Sequence, residues 1–188
     1  MPEEGRKGVF VTVGTTQFQE LVAMALSPSV KRELVDQGFR GLVVQYGSGQ
    51  AGVAEDANAL PGLEVEQFAL KPSILPYFAN SSLVISHGGS GSILEALRAG
   101  KPLIVVINRS LMDDHQTELA EKLAEENYLV STGWQSFLPS KTARLSRVDC
   151  DGLLHVLQEG RWRTLVPFPA PTESNPFMEA LDRHMGFS

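Results

Sequence analysis

The chain has 188 residues, of which 43% are hydrophobic and 20% are charged, and its formal net charge is −6. A chain of this length can form one domain with a sizeable core, but it is short for two full-sized domains. The acidic balance argues against nucleic acid as the main partner, because nucleic-acid-binding proteins present a basic face. The single cysteine, Cys150, excludes an internal disulfide. The polar start MPEEGRKG predicts no secretory signal, and no apolar run reaches the about 18 residues of a membrane span, so we expect a soluble protein.

Apolar, β-rich runs alternate with helical patterns along the chain. The predicted strands are Val9–Val13, Leu42–Tyr46, Leu63–Phe68, Leu83–Ser86 and Leu103–Ile107, with a short edge strand at Tyr128–Val130. The predicted helices are the segments QELVAMAL, PSILPYFANS, SILEALRAG and DHQTELAEKLAEEN. Continuously apolar strands that alternate with helices are typical of a parallel, doubly wound α/β sheet.

Two internal segments and the C-terminus depart from this alternation. Residues 47–62 are rich in glycine and alanine and predict a long loop, and residues 132–149 are polar and irregular. Near the C-terminus, Asn175 and the proline after it have the residue types of a helix N-cap and first helical position. We therefore predict a globular domain at 1–173 and an amphipathic helix at 174–188 that is a candidate for docking to a partner.

The most informative segment is SHGGSGS, which follows the fourth predicted strand and opens a helix. Glycine loses the most backbone freedom on folding, so this composition indicates either a very tight turn or a ligand close to the backbone. A dinucleotide fingerprint is disfavoured, because the first two strands do not end in the glycine and acidic residues that it requires. A P-loop is excluded, because Gly100-Lys101 lies at the end of a helix and is followed by proline.

Three interpretations of this segment remain open. One is a tight connection without a ligand. Another is the nucleophile elbow of a serine hydrolase with Ser90 as nucleophile, although Ser92 occupies the place of its second glycine. The third is a helix N-terminus that holds a phosphate, because free N–H groups and the helix dipole favour an anion. Glu95, one turn on, would repel a phosphate but suits a ribose diol, and the segment MDDHQ after the next strand could bind sugar hydroxyls. Together these features predict a nucleotide-sugar site.

Four segments in order, FVTVGTT, LVISHGGSGSILEAL, GKPLIVVIN and LMDDHQTELAEKL, strongly resemble one glycosyltransferase family over residues 8–131. This family includes the small cytosolic subunit of the eukaryotic UDP-N-acetylglucosamine transferase, which makes the second step of dolichol-linked oligosaccharide assembly. A weaker resemblance extends to the bacterial enzyme that adds N-acetylglucosamine to the lipid-linked peptidoglycan precursor. The resemblance implies a glycosyltransferase family 28 C-terminal domain, which is the Rossmann-like, donor-binding half of a GT-B enzyme.

The resemblance also implies roles for individual residues. Those that would approach the diphosphate are Gly14, Thr15, Thr16, Gly89, Ser90, Gly91 and Ser92. Those that would contact the uracil through their backbone are Phe68, Ala69 and Leu70. Glu95 would bind the ribose, and Asp114, His115 and Gln116 would bind the sugar. His87 or His115 would serve as catalytic base, unless a partner subunit supplies it. No cofactor and no metal ion are expected.

The implied reaction transfers N-acetylglucosamine from UDP-N-acetylglucosamine to N-acetylglucosaminyl-diphospho-dolichol, with inversion and a β1,4 linkage. A complete GT-B enzyme has two such domains, so we expect a membrane-anchored partner subunit to bind the acceptor. The partner would recruit this chain, as a heterodimer, from the cytoplasm to the cytosolic face of the endoplasmic reticulum. Two alternatives stay open, a non-catalytic nucleotide-sugar-binding module and a serine hydrolase.

Overall fold

The computed structural model describes residues 7–52, 60–107, 114–133 and 151–169. The strands in these ranges are β1 (Gly8–Thr12), β2 (Gly41–Gln45), β3 (Glu64–Phe68), β4 (Leu83–Ser86), β5 (Leu103–Ile107) and β6 (Val130–Gly133). The helices are α1 (Gln19–Leu26), α2 (Pro28–Asp36), α3 (Leu75–Asn80), α4 (Ser90–Arg98), α5 (Asp114–Glu125) and α6 (Asp151–Glu159), followed by a 3-10 helix at Arg161–Thr164.

The six described strands form one parallel sheet in the order β3-β2-β1-β4-β5-β6. At its centre Val11 pairs with Val44 of β2 on one side and with Ile85 of β4 on the other. Along the chain, β1 to β3 therefore form one half of the sheet, from its centre to one edge. The chain then returns to the centre, where β4 pairs with β1, and β4 to β6 form the other half. The loops that follow β1 and β4 leave in opposite directions, which opens a crevice at the carboxyl ends of the strands.

Helices cover both faces of the sheet, because successive strand residues point to opposite sides. Val9 and Val11 belong to a core with α1, α2, α6 and the buried Trp162. Phe10, between them in β1, faces a second core that contains residues of α3, α4 and α5. This arrangement confirms the doubly wound α/β sheet expected from the alternation of strands and helices.

Most predicted elements are present within a few residues of their expected bounds, but two helices were missed. The N-terminus of α2 is capped by Ser27, whose hydroxyl accepts a hydrogen bond from the Val30 N–H at 3.3 Å, with Pro28 at the first helical position. This start signal is present in the sequence. Helix α6 was also not predicted. The edge strand β6 begins at Val130, the residue at which the predicted strand Tyr128–Val130 ends.

Some predictions fall outside the described residues. They are the interior of the 47–62 loop at 53–59, most of the irregular segment 132–149, and the C-terminal helix at 174–188. That helix therefore stays a prediction. Across the described ranges, no helix has the length and apolar character needed to cross a bilayer.

The turn after β2 supports the loop after β1. Gly47 has a φ of +61°, and a Cβ at this position would lie 2.2 Å from the Thr16 carbonyl oxygen and 2.9 Å from that of Gly14. The Ser48 N–H donates a hydrogen bond to the same Thr16 carbonyl at 3.2 Å. Gly47 is therefore needed both for its left-handed backbone and for the close approach of the two loops.

A pair of alanine substitutions separates these two requirements. Gly100 has nearly the same backbone, with a φ of +65°, but a Cβ there meets no atom within 4 Å. We expect Gly100→Ala to lower the free energy of unfolding by about 1–2 kcal/mol, the cost of a left-handed alanine. Gly47→Ala should cost about 1–3 kcal/mol more, because Thr16 must also shift. Urea unfolding of both variants measures the difference, and equal costs would mean that the two loops separate freely.

Candidate functional site

An open cleft of about 670 Å³ lies at the carboxyl ends of the strands, where the sheet changes direction. Its walls come from three loops and from the first turns of α3, α4 and α5. Residues 14–16 follow β1, residues 70–74 lie between β3 and α3, and residues 89–92 are the N-cap and the first residues of α4. The strand order reverses between β1 and β4, so the loops that follow these two strands turn to opposite sides of the sheet. The crevice between them stays open, and the lining segments meet around it.

Most residues predicted for the site line this cleft. They are Gly14, Thr15, Thr16, Leu70, His87, Gly89, Ser90, Gly91, Ser92, Glu95 and Gln116. Phe68 does not line it, because its ring is buried against Phe10 and Tyr77 and its carbonyl accepts the Tyr46 N–H in the sheet. Ala69 is also absent from the wall. Asp114 and His115 begin α5, but their side chains lie outside what the structure describes.

The His87 imidazole packs between two of the glycines. A Cβ on Gly14 would lie 2.8 Å from its Cε1 atom, and a Cβ on Gly89 would lie 2.4 Å from its Nε2 atom. Neither glycine can be replaced without moving the imidazole or the backbone. Gly91, in contrast, has no atom within 4 Å of such a Cβ. Part of the glycine content of SHGGSGS is therefore explained by a side chain of the protein itself, whereas Gly91 lines the cleft and has open space where a Cβ would lie.

Burial keeps the His87 imidazole neutral. Desolvation lowers the pKa of His87 below its ordinary value, and the nearby Thr12 backbone opposes this shift only in part. Its Nδ1 atom is buried and has no hydrogen-bond partner among the described residues. The cleft wall therefore carries an uncharged ring at this point, with one nitrogen able to accept a proton.

A buried hydrogen-bond network fixes the turn after β1. The Thr12 hydroxyl donates to the Gln45 side-chain carbonyl and accepts the Gly14 N–H at 3.0 Å. Thr12 and Gln45 are almost fully buried, and Gln45 also lines the cleft. Sequence analysis missed Gln45, although a polar residue at the end of an apolar strand beside β1 is a usable signal.

The start of α4 presents backbone donors to the cleft. The first helical hydrogen bond runs from the Ile93 N–H to the Gly89 carbonyl at 3.0 Å, and no side chain caps the helix. The N–H groups of residues 90–92 precede that bond and belong to the unpaired first turn. Together with the helix dipole they favour an anion at this wall. Glu95, one turn further on, lines the same cleft.

This geometry does not favour the serine-hydrolase interpretation. A nucleophile elbow holds its serine in a sharp, strained turn. Ser90 is instead the first residue of a regular helix, and within the described ranges the only non-glycine residue with positive φ is Asn127. The described residues also contain no group of three or more side chains of the types that bind a metal ion.

The wall between β3 and α3 holds residues that sequence analysis did not single out. Leu70 and Leu75 are 54% and 57% exposed, so this side of the cleft has an apolar rim. Between them lies Lys71, whose ammonium group contacts Glu66 and Tyr77. No motif in the sequence marks this lysine, because its position depends on how β3 and α3 meet at the cleft.

A family model describes most of the chain. Residues 8–147 match the glycosyltransferase family 28 C-terminal domain. The UDP-N-acetylglucosamine transferase subunit ALG13 of Saccharomyces cerevisiae is 33% identical over 93% of this chain and 94% of its own length. The human protein of the same name is 41% identical over 65% of this chain, and the chain spans only 11% of that longer protein.

Solved structures agree with this similarity. The solution structure of ALG13 superposes with a TM-score of 0.61 at 29% identity, and the match covers 97% of this chain and 98% of that one. MurG of Acinetobacter baumannii gives a TM-score of 0.64 at 16% identity over 97% of this chain and 50% of its own, which bears on the fold alone. The resemblance drawn from four sequence segments is thereby confirmed. The chain belongs to the glycosyltransferase family 28 C-terminal domain family and has the fold of one half of a GT-B glycosyltransferase.

Proposed function

We propose that this chain is the donor-binding and catalytic subunit of a UDP-N-acetylglucosamine transferase. The observation that carries the proposal is the cleft at the β1–β4 switch point, where backbone donors and one carboxylate lie within one helical turn. The chain is also similar, over nearly its full length, to a yeast protein named as a subunit of that transferase, and this similarity supports the same conclusion. The sugar would pass to N-acetylglucosaminyl-diphospho-dolichol with inversion and a β1,4 linkage.

Different walls of the cleft would bind different parts of the donor. The diphosphate would meet the N–H groups of residues 90–92 and the loop at 14–16, and Glu95 would accept hydrogen bonds from the ribose hydroxyls. Gln116, at the start of α5, would bind the sugar. With the donor bound in this way, the first-turn N–H groups would face the diphosphate, on which negative charge grows as the glycosidic bond breaks. They would therefore stabilise the leaving diphosphate in the transition state.

Three candidates remain for the base that deprotonates the acceptor hydroxyl: His87, a group of the partner subunit, and His115. His87 lines the cleft as a neutral imidazole, which can accept a proton, although its lowered pKa makes it a weaker base than an exposed histidine. The partner subunit is the alternative source. His115 was also predicted for this role, and we retain it as a proposal from the sequence alone.

The word subunit in the names of these relatives supports a partner for this chain. We propose that a membrane-anchored subunit binds the lipid-linked acceptor and holds this chain at the cytosolic face of the endoplasmic reticulum. The active enzyme would then be a heterodimer whose reaction takes place between the two subunits.

Reconstitution tests this proposal directly. The purified chain should bind UDP-N-acetylglucosamine but transfer no sugar to the lipid-linked acceptor, whereas addition of the membrane partner should produce transfer. Release of the labelled disaccharide lipid is the readout. Strong transfer by the chain alone would refute the division between two subunits, and binding without transfer in the assembled pair would favour a non-catalytic binding module.

Replacement of Glu95 tests the nucleotide site. Glu95→Gln keeps the shape but removes the charge that strengthens hydrogen bonds to the ribose, so we expect UDP binding to weaken by about 1–3 kcal/mol. Binding of inorganic diphosphate should not weaken, because it lacks the ribose. Glu118, half exposed on α5 and paired with Lys122 at 3.6 Å, offers a control in Glu118→Gln. Calorimetric titration compares the proteins, and an unchanged UDP affinity in Glu95→Gln would remove Glu95 from the site.

The pH dependence of stability tests the neutral state of His87. Because its folded-state pKa is lowered, the unfolded chain takes up the proton first as the pH falls. Stability is therefore complete above the unfolded pKa of about 6.5 and declines below it. We expect His87→Gln to lose less of its unfolding free energy than the wild type between pH 7.5 and pH 5. Identical losses in urea unfolding would mean that His87 titrates normally in the fold.

A further inference from the structure

The described wall of the cleft carries very little formal charge. Of the described lining side chains, only Lys71 and Glu95 are charged near neutral pH, because burial keeps His87 uncharged. Glu95 has the same sign as a diphosphate and repels it. Lys71 is therefore the one ammonium in the described wall that can offset both the carboxylate and an anionic ligand.

Lys71 is held by two polar groups and two aromatic rings. Its Nζ atom lies 3.1 Å from Glu66 Oε1 and contacts the Tyr77 hydroxyl, which itself lies 3.3 Å from the same carboxylate. The ammonium also lies 4.1 Å from the centre of the Phe68 ring and 4.6 Å from that of Tyr77. The hydrogen bonds to Tyr77 and Glu66 raise the pKa of Lys71, so the group stays charged.

These contacts hold the ammonium only weakly. The Lys71 and Glu66 side chains are 37% and 53% exposed, and exposed ion pairs contribute little to stability in water. The lysine stem is long and flexible, and its compact ammonium can exchange one oxygen partner for another. Phosphate oxygens carry more charge than the phenol of Tyr77 and compete well for the same donor.

We propose that Lys71 binds the diphosphate of the donor and exchanges Glu66 and Tyr77 for it. The inference rests on the proposed function, because it requires an anionic nucleotide in this cleft. Glu66 then acts as a competitor of the donor for Lys71, so the pair tunes how tightly the diphosphate is held and how readily it leaves. A neutral nucleoside, which has no phosphate, would not draw Lys71 away.

The test compares three ligands on the full chain. Isothermal titration of uridine, UDP and inorganic diphosphate is carried out on the wild type, Lys71→Met and Glu66→Gln. Methionine keeps most of the aliphatic stem over the rings but removes the charge. We expect Lys71→Met to weaken UDP and diphosphate about tenfold, with a smaller dependence on salt, and to leave uridine within about twofold. Glu66→Gln should strengthen UDP binding by about two- to fivefold, because it releases Lys71.

A second ion pair in the chain provides the matched controls. Lys122 and Glu118 on α5 lie 3.6 Å apart and are also well exposed, so Lys122→Met and Glu118→Gln make the same charge changes outside the cleft wall. Neither should alter any of the three affinities by more than about twofold. If the controls change the affinities as much as the Lys71 and Glu66 variants do, the effect comes from the net charge of the protein, and the proposal is overturned.

UDP affinity should fall in Lys71→Met and rise in Glu66→Gln. These opposite changes distinguish an exchange of partners at Lys71 from an ion pair that only stabilises the loop. If the ion pair only holds the loop at 70–75, both variants weaken uridine and UDP together, which overturns the proposal. Unchanged UDP binding in Lys71→Met also overturns it while the proposed function stands. A wild-type chain that binds neither uridine nor UDP would remove the proposed function and this inference with it. Circular dichroism of each variant confirms that the fold is retained.

Discussion

The pairing of β1 with β4 is the constraint on which the cleft depends. In the register Val11 with Ile85 and Thr12 with Ser86, the two strands end at the same level. Their loops must then leave in opposite directions, because β2 and β3 lie to one side and β5 and β6 to the other. The space between the loops is too narrow for ordinary side chains beside His87, so glycine is required at Gly14 and Gly89. The same close approach leaves backbone N–H groups at the surface of the crevice.

The sequence predicted the central strands well because they are apolar runs, as in β4 and β5, where all residues are buried. It did not predict α2, because Lys31 and Arg32 interrupt an apolar pattern that is already short, and because the cap at Ser27 was overlooked. The edge strand β6 was displaced because half-buried edges carry a weaker pattern than central strands.

The candidate site was predictable where a loop has a composition that folding alone does not require. SHGGSGS and Glu95 were found in this way, and the structure places them on one cleft. The interpretation of the glycines was incomplete, because the sequence cannot show that the His87 imidazole packs against Gly14, more than 70 residues earlier in the chain. Gln45 and Lys71 were missed for a similar reason, since both reach the cleft through strand pairing and loop packing and not through a local motif.

The chemistry of the cleft therefore depends more on dipoles than on charges. Backbone N–H groups at the start of α4 and the neutral His87 face a region where the only described charges are one carboxylate and one ammonium. Fixed dipoles stabilise charge that develops during a reaction without first having to reorganise. They also bind the anionic product less tightly than a cluster of arginines would, because charge-assisted hydrogen bonds are the stronger ones. Under the proposed function, a nucleoside diphosphate must leave after each cycle, and weaker binding of this product would favour its release. The proposed exchange of Lys71 between Glu66 and the diphosphate would have the same effect, because the only positive charge of the described wall would then be held by the ligand in part.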